Sequence, residues 1–410
     1  MNNRPSAVDS TQVESSRQAE TLVLGGGLAG LITSFYLLEA GKKVLLVEKQ
    51  QIGKEASWAG GGILSPLKPW TYSQWHDELT SLSKECFEFL KAKLESIGAT
   101  FEENKTGMLY LDESLNETVH QWFSRHENEV ELLEGESLQD FLNKYDVAQS
   151  WKSNTDAGIW MPLVSNIRNP RFIAAVKQYL DAHPDFTLME NTEARLVLGG
   201  DRQHKNGSRL HGVDLIARNG EKTFLPSREV VVTAGAWSQG ILQHLDLPQV
   251  KPIRGQMLLF KSEARLPFII MKGNHYLIPR SDGLILAGST TENAGFDQEV
   301  TQEAFDRLHQ FASELMPEFK NAKPIKHWAG LRPAVDGQEG VPLVGPVASI
   351  PGLWVNTGHF RNGIVHAPGA AKLLVDAMTG NTPALPITLN AQSSKVTRPD
   401  LASLTDNEAI

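Results

Sequence analysis

Unbroken apolar runs and regularly spaced apolar positions divide this chain into elements. Residues 21–24 (Thr-Leu-Val-Leu) and 44–47 (Val-Leu-Leu-Val) are short runs with little polar interruption, the mark of strands buried on both faces. Between them, Gly25-Gly26-Gly27-Leu28-Ala29-Gly30 leads into a longer apolar stretch over 31–38, which predicts a helix. Apolar positions at helical spacing predict further helices over 74–97, 115–125 and 302–316. Another is predicted from Asn169-Pro170, since proline is accepted in a first helical turn. Strands are predicted at 108–111, 158–161, 209–216, 229–233, 276–280, 284–288 and 353–357. The 209–216 strand turns at Asn219-Gly220, and 276–280 pairs with 284–288 around Ser281-Asp282-Gly283. A last apolar helix is predicted over 367–378. This order predicts an α/β fold in which a Rossmann-like, doubly wound, mostly parallel sheet is assembled from early, middle and late segments, with a β-rich α+β domain inserted. The expected boundaries are 20–75, 165–248 and 325–385 for the cofactor domain, and 76–164 and 249–324 for the substrate domain.

The first strand, turn and helix carry chemistry. Gly25, Gly27 and Gly30 fit G-x-G-x-x-G in the βαβ context that gives this pattern meaning. Gly25 suits a tight turn, Gly27 a close approach of a pyrophosphate, and Gly30 close helix–strand packing. Leu28 and Ala29 open the helix, whose free N–H groups and dipole favour phosphate. Glu48, followed by Lys49, closes the next strand, where a carboxylate accepts hydroxyls of an adenosine ribose. A purely structural glycine turn is the alternative, and the fingerprint alone leaves FAD and NAD open.

Composition narrows the class. A chain of 410 residues is long enough for two domains with full cores. Hydrophobic content of 41% and charged content of 21% are those of a soluble globular protein. A net charge of −9 without a lysine/arginine block speaks against nucleic acid as the main partner. Cys86 is the only cysteine, which excludes a disulfide within the chain and a cysteine metal cluster, and fits a reducing cytoplasm. It lies in a helical pattern and reads as packing. Residues 1–19 are polar, without the apolar centre of a signal peptide, and are expected to form a flexible leader. The tail from 392 to 410 is expected to be disordered. The stretch 22–38 is apolar enough to suggest a membrane span, but its glycines and the strand that follows favour a buried βα unit.

Three further segments carry a resemblance: Ser57-Trp58-Ala59-Gly60-Gly61-Gly62-Ile63-Leu64, Trp328-Ala329-Gly330-Leu331-Arg332-Pro333 and Gly358-His359-Phe360-Arg361-Asn362-Gly363-Ile364. With the glycine fingerprint, and in this order over about 21–378, the chain resembles the FAD-dependent amino-acid oxidase family, which includes D-amino-acid oxidase-like flavoproteins, sarcosine oxidase and glycine oxidase. It is most similar to the glycine oxidases of the thiamine (thiazole) type. The resemblance implies a Rossmann-like FAD-binding domain and FAD as a noncovalent cofactor, since no cysteine stands in the C-terminal half to tether it. It implies flavin contacts at Ser57, Trp58, Ala59, Gly60, Gly61 and Gly62, where glycine lets backbone lie against the ring. Further contacts are implied at Ala194, Ala234, Gly235 and Trp237, and at Gly358, His359, Phe360, Arg361, Asn362, Gly363 and Ile364. Arg332 matches the family's carboxylate-binding arginine, whose planar fork binds a carboxylate through two hydrogen bonds. Tyr276 matches a tyrosine that donates to the same carboxylate, and Arg361 a second active-site arginine. No metal is expected.

The activity implied is oxidation of a small amino acid, glycine preferred, by hydride transfer from the α-carbon to flavin N5. The imine would hydrolyse to glyoxylate and ammonia, and O2 would be reduced to H2O2, with a role in thiazole biosynthesis. The alternatives are a FAD dehydrogenase on D-amino or N-methyl amino acids that uses a quinone or protein acceptor, a nicotinamide dehydrogenase, and a flavoprotein without catalysis. Partners are expected to be the amino acid and O2, with no nucleic acid and no membrane span. Homo-oligomers are frequent among relatives, and the sequence leaves the oligomeric state open.

Overall fold

The computed structural model describes residues 19–111, 113–145, 156–199, 209–263, 265–338 and 340–389. All of the leader expected at 1–19 except Ala19, and the tail expected at 392–410, lie outside the described residues.

Two sheets dominate. The first has six strands in the order Leu343–Pro346, Leu353–Thr357, Val230–Val232, Thr21–Leu24, Val44–Val47, Phe186–Met189. All neighbours in it are parallel except the Leu343–Pro346 edge strand. Its apolar runs are explained by burial on both faces. Val23, Leu46 and Val231 face a helical layer, whereas Leu22, Leu24, Leu45, Val47, Val230 and Val232 face the other side. That layer comprises Leu28–Glu39, Asn169–Asp181, Gln74–Ser96 and Gly363–Met378. On the opposite side lie Leu210, Val213, Leu215 and Leu225 of a three-stranded antiparallel sheet, Thr192–Gly199, Arg209–Ala217 and Lys222–Pro226.

The second sheet has eight strands in the order Lys326–Val335, Val250–Lys261, Leu284–Gly288, His275–Pro279, Ile269–Lys272, Met108–Leu111, Ala157–Met161, Glu131–Glu134. One face packs on Leu308, Phe311, Ala312 and Leu315 of the helix Gln302–Leu315. The other face carries Met257, Tyr276, Ile278 and Leu286 and packs on Ile63 and Trp70.

The predicted helices and strands are present with small shifts at their ends. The final helix starts earlier than the apolar pattern suggested, at Gly363 rather than 367, and contains Pro368. The motif 328–333 lies inside the strand Lys326–Val335. Pro333 is tolerated there because this strand is the sheet edge, and its opposite residue is Pro252. The strand Glu131–Glu134 and the helix Gly135–Lys144 were not among the predicted elements, although Leu138, Phe141 and Leu142 stand at helical spacing in the helix. Among the described residues no helix is long and apolar enough to cross a membrane. No group of His, Cys, Asp or Glu among them could hold a metal ion.

Candidate active site

A cavity of about 890 Å³ is lined by residues of both large sheets, a volume within the range of about 300–1,000 Å³ typical of small-molecule and cofactor sites. Of the residues predicted from sequence, it is lined by Gly25, Gly27, Leu28, Ala29, Glu48, Lys49, Ser57, Ala59, Gly60, Gly61, Gly62, Ala194, Ala234, Gly235, Trp237, Tyr276, Arg332, His359, Phe360, Arg361, Gly363 and Ile364. Four others sit behind the wall. A β-carbon on Gly30 would lie 1.9 Å from the Gly25 carbonyl oxygen, so this glycine serves helix–strand contact. Gly358, with φ of +81°, leaves space for Val335. Asn362 is the buried N-cap of the last helix. Trp58 packs edge-on against Trp328, with Lys326 Nζ 4.2 Å from its ring centroid.

At one end, the turn after Thr21–Leu24 forms the phosphate-type cradle. Gly25 has φ of +116°, and a β-carbon there would lie 2.7 Å from the backbone of Ala234. Gly27, the N-cap of Leu28–Glu39, has φ of −73° and no side chain. A β-carbon on Gly27 would meet only Ser57 Oγ, at 3.3 Å, so added bulk would fill the cradle rather than strike the fold. Ser57 Oγ accepts from the Leu28 N–H at 2.8 Å. Glu48 is held by two backbone donors, the N–H of Gly26 at 2.7 Å and that of Gln50 at 2.8 Å. A carboxylate fixed in this way keeps acceptor capacity for ribose hydroxyls. The open cradle at Gly27, the helix start and the fixed acid together fit an elongated dinucleotide.

The glycines at 60–62 have a reason within the protein itself, beside the one expected. A β-carbon on Gly61 would lie 2.8 Å from Ile278 Cδ1, and one on Gly62 2.1 Å from the Ile167 carbonyl oxygen. Their close approach is to protein, which lets the loop line the cavity without standing off the large sheet. Neighbouring groups pin that loop. Arg280 donates to the carbonyls of Gly61 and Ile167, both at 2.8 Å, and to Asn166 Oδ1 at 2.7 Å. Asn169 Nδ2 donates to the carbonyls of Ser57 and Gly60, both at 2.9 Å, and Trp328 Nε1 to that of Ala59 at 3.1 Å.

At the other end, the two predicted arginines and Tyr276 share the cavity. Arg332 Nη1 donates to the Thr290 carbonyl at 3.0 Å and Nη2 to Ser289 Oγ at 2.8 Å. Both partners are neutral, so the cation keeps its charge for a ligand. Burial pulls the Arg332 guanidinium down to about 10; the Tyr276 hydroxyl opposes this and Arg361 adds to it. It therefore remains charged at neutral pH. Arg361 follows Phe360, which has φ of +46°, and its Nη2 is buried with no partner in the protein. His359 bonds through Nε2 to Asn356 Oδ1 at 2.7 Å, and burial pushes its imidazole down to about 4, so it is neutral at neutral pH.

The groups that sequence reasoning missed are those that act on backbone. Arg280 and Asn169 bind mainly carbonyls, and no side-chain motif announces a carbonyl partner. Ser289 and Thr290 also went unmarked, because their link to Arg332 spans more than forty residues of chain. Gly255 had one available signal, a glycine inside a strand, which often marks close approach of another group.

Comparisons with known proteins show the family and the fold. The profile of the FAD dependent oxidoreductase family matches residues 20–377. A glycine oxidase of Pseudomonas aeruginosa is 38% identical over 365 residues, covering 88% of this chain and 95% of that protein. A glycine oxidase of Pseudomonas putida is 38% identical over 367 residues, covering 89% and 95%. The crystal structure of a glycine oxidase from Geobacillus kaustophilus superposes with a TM-score of 0.77 at 23% identity, covering 93% of this chain and 98% of the other, a likeness of fold.

Proposed function

Because this chain belongs to the FAD-dependent oxidoreductase family, we propose that it oxidises a small amino acid, glycine first, to glyoxylate and ammonia, with O2 reduced to H2O2. The cofactor is FAD, which when bound supplies the two-electron acceptor for the α-C–H bond. The protein's part is binding and orientation. Arg332 takes the substrate carboxylate through N–H groups not spent on Ser289 and Thr290, and the Tyr276 hydroxyl donates to the same group. Arg361 adds positive charge beside it. Binding of the carboxylate turns the α-carbon toward the cofactor, converting an encounter into a fixed geometry. His359, neutral and bonded to Asn356, shapes the wall and carries no positive charge at neutral pH. The imine product takes up water to give the oxo acid.

The observation that carries this reading is the half-buried Arg332, held by neutral partners and open to the cavity. Cys86, the only cysteine, is buried in the Gln74–Ser96 helix, which supports noncovalent FAD and a reducing, cytoplasmic setting. The glycine oxidase relatives support glycine as substrate, and the place in thiazole formation rests on the resemblance of the sequence motifs alone. The test is a peroxide-release screen of the purified yellow protein against glycine, sarcosine and D- and L-amino acids. Peroxide formed one for one with glyoxylate supports the reading. Bleaching of the flavin by an amino acid without peroxide would replace O2 with a quinone or protein acceptor, and no bleaching by any amino acid would remove the assignment.

A further inference from the structure

The segment 289–301 connects both ends of the cavity. At its base, Ser289 Oγ and the Thr290 carbonyl hold the two Nη atoms of Arg332. Glu292 is the anchor. Its carboxylate accepts from Arg254 Nε at 2.9 Å and Nη2 at 2.7 Å, from Gln256 Nε2 at 2.9 and 3.1 Å, and from the Thr290 hydroxyl. Although burial alone would raise it, the Thr290 hydroxyl, Arg254 and Gln256 hold the Glu292 carboxyl below the usual carboxylate range. Arg254 Nη1 reaches further, to Asp297 Oδ2 at 2.6 Å and the Glu299 carbonyl at 3.0 Å. Gln256 closes the segment, accepting from the Thr301 N–H at 2.9 Å. At the tip, Phe296 lies 5.6 Å, ring to ring, from Trp237, and Gln298 Nε2 donates to Glu55 Oε2 at 2.9 Å. Trp237 and Glu55 both line the cavity. Arg254 is 7% exposed and Gln256 fully buried, whereas Phe296 is 52% exposed. A solvent-facing segment is thus tied down by a buried fork.

We propose that Arg254 is a positioning residue: through Glu292 it holds 289–301 as a strap whose base sets the guanidinium of Arg332 and whose tip covers the cofactor wall at Trp237 and Glu55. Carboxylate capture and cofactor retention then depend on one ion pair that touches neither ligand. The first half rests on the reading of Arg332 as the carboxylate group; the second half does not. Lysine cannot replace Arg254, because it offers a point charge where the fork reaches Glu292, Asp297 and a carbonyl in fixed directions.

The test compares Arg254→Lys, Glu292→Gln and Phe296→Ala with the unaltered holoenzyme. Acetate, a carboxylate with no amine, is titrated by its effect on flavin absorbance. FAD affinity is read from recovery of flavin fluorescence on dilution, and KM and kcat are measured with glycine. In Arg254→Lys and Glu292→Gln, acetate affinity and KM worsen roughly tenfold, the scale of losing one charged hydrogen-bond partner, while kcat stays within about twofold. FAD binding weakens in both. In Phe296→Ala, FAD binding weakens and acetate binding does not. Wild-type acetate and FAD affinities in Arg254→Lys and Glu292→Gln, with only the thermal midpoint lowered, would overturn the proposal. So would a Phe296→Ala protein that loses acetate and keeps FAD. If Arg254→Lys does not fold, the isosteric Glu292→Gln and the surface Phe296→Ala decide. If glycine is no substrate, the FAD and acetate measurements still decide the strap.

Discussion

Ala334 and His359 form an isolated antiparallel bridge that joins the edge of the eight-stranded sheet to the turn after Leu353–Thr357. Arg332 lies two residues before one partner and Arg361 two residues after the other, so this contact delivers both cations to one cavity. The Arg332 guanidinium also needs room, and Gly255 on the neighbouring strand provides it. A β-carbon there would lie 2.1 Å from Nη2 and 2.2 Å from Nη1.

On the proposed reading of Arg332 as the carboxylate-binding group, these contacts make Arg332 and Gly255 a matched pair. Arg332→Ala is expected to raise KM by roughly tenfold to a hundredfold, the loss of about 1.5–3 kcal/mol from a charged hydrogen-bonded contact. Arg332→Lys should recover only part of this. Gly255→Ala should have a similar effect with arginine still present, because the methyl displaces the guanidinium. Steady-state kinetics on yellow, loaded protein check all three; unchanged constants in Arg332→Ala and Gly255→Ala would remove Arg332 from the site.

Two glycines of the fingerprint should fail in different ways. Gly27 has an ordinary φ and an open β-position, so Gly27→Val is expected to give a folded protein that has lost FAD. Gly30→Val would drive a β-carbon to 1.9 Å from the Gly25 carbonyl oxygen, so it is expected to reduce soluble, folded yield. Far-ultraviolet circular dichroism and flavin content separate the outcomes. A yellow, fully loaded Gly27→Val protein would contradict the cradle.

Arg280 is expected to matter through the loop it holds. Arg280→Met keeps much of the side-chain length but abandons the carbonyls of Gly61 and Ile167 and the Asn166 amide oxygen. The cost should be about 2–4 kcal/mol, as buried acceptors lose a charged donor. Chemical denaturation with a constant m-value would measure it. A variant as stable as the parent would show that water replaces the guanidinium there.

Stability should fall on mild acidification. Burial lowers the imidazoles of His359, to about 4, and of His76 and His366 below their ordinary value. A depressed imidazole means that the unfolded chain takes up the proton first. The stabilising difference is therefore complete above about pH 6.5 and is lost as pH falls toward 4. His359 accounts for about 3 kcal/mol of this on linkage grounds. Thermal midpoints between pH 6.5 and 4.5 should fall more steeply in the parent than in His359→Gln, which carries the same carboxylates. Equal slopes would show that His359 does not take part.

Much of this was legible in the sequence for identifiable reasons. The runs at 21–24 and 44–47 are apolar at every turn of the pleat because both faces are covered, and Gly25 and Gly30 are fixed by distances a β-carbon could not satisfy. Arg332 and Arg361 stood out because each lies in a motif with glycine. What stayed hidden was the reason for the glycines at 60–62 and the whole 289–301 segment. Those depend on contacts between residues far apart in the chain, such as Arg280 with Gly61 and Arg254 with Asp297, where each partner alone is an ordinary polar or small residue.

The placing of Thr21–Leu24 beside Val230–Val232, and of that strand beside Leu353–Thr357, has a consequence for biogenesis. The earliest strand of the nucleotide sheet meets Val44–Val47 early, but its other neighbour, Val230–Val232, only after more than half of the polypeptide has been synthesised. A nascent chain therefore has no completed cavity until the lining residues from Asn356 to Ile364 have left the ribosome. Capture of the coenzyme then belongs to the end of translation, and no fragment that stops short of Leu353–Thr357 should turn yellow by itself.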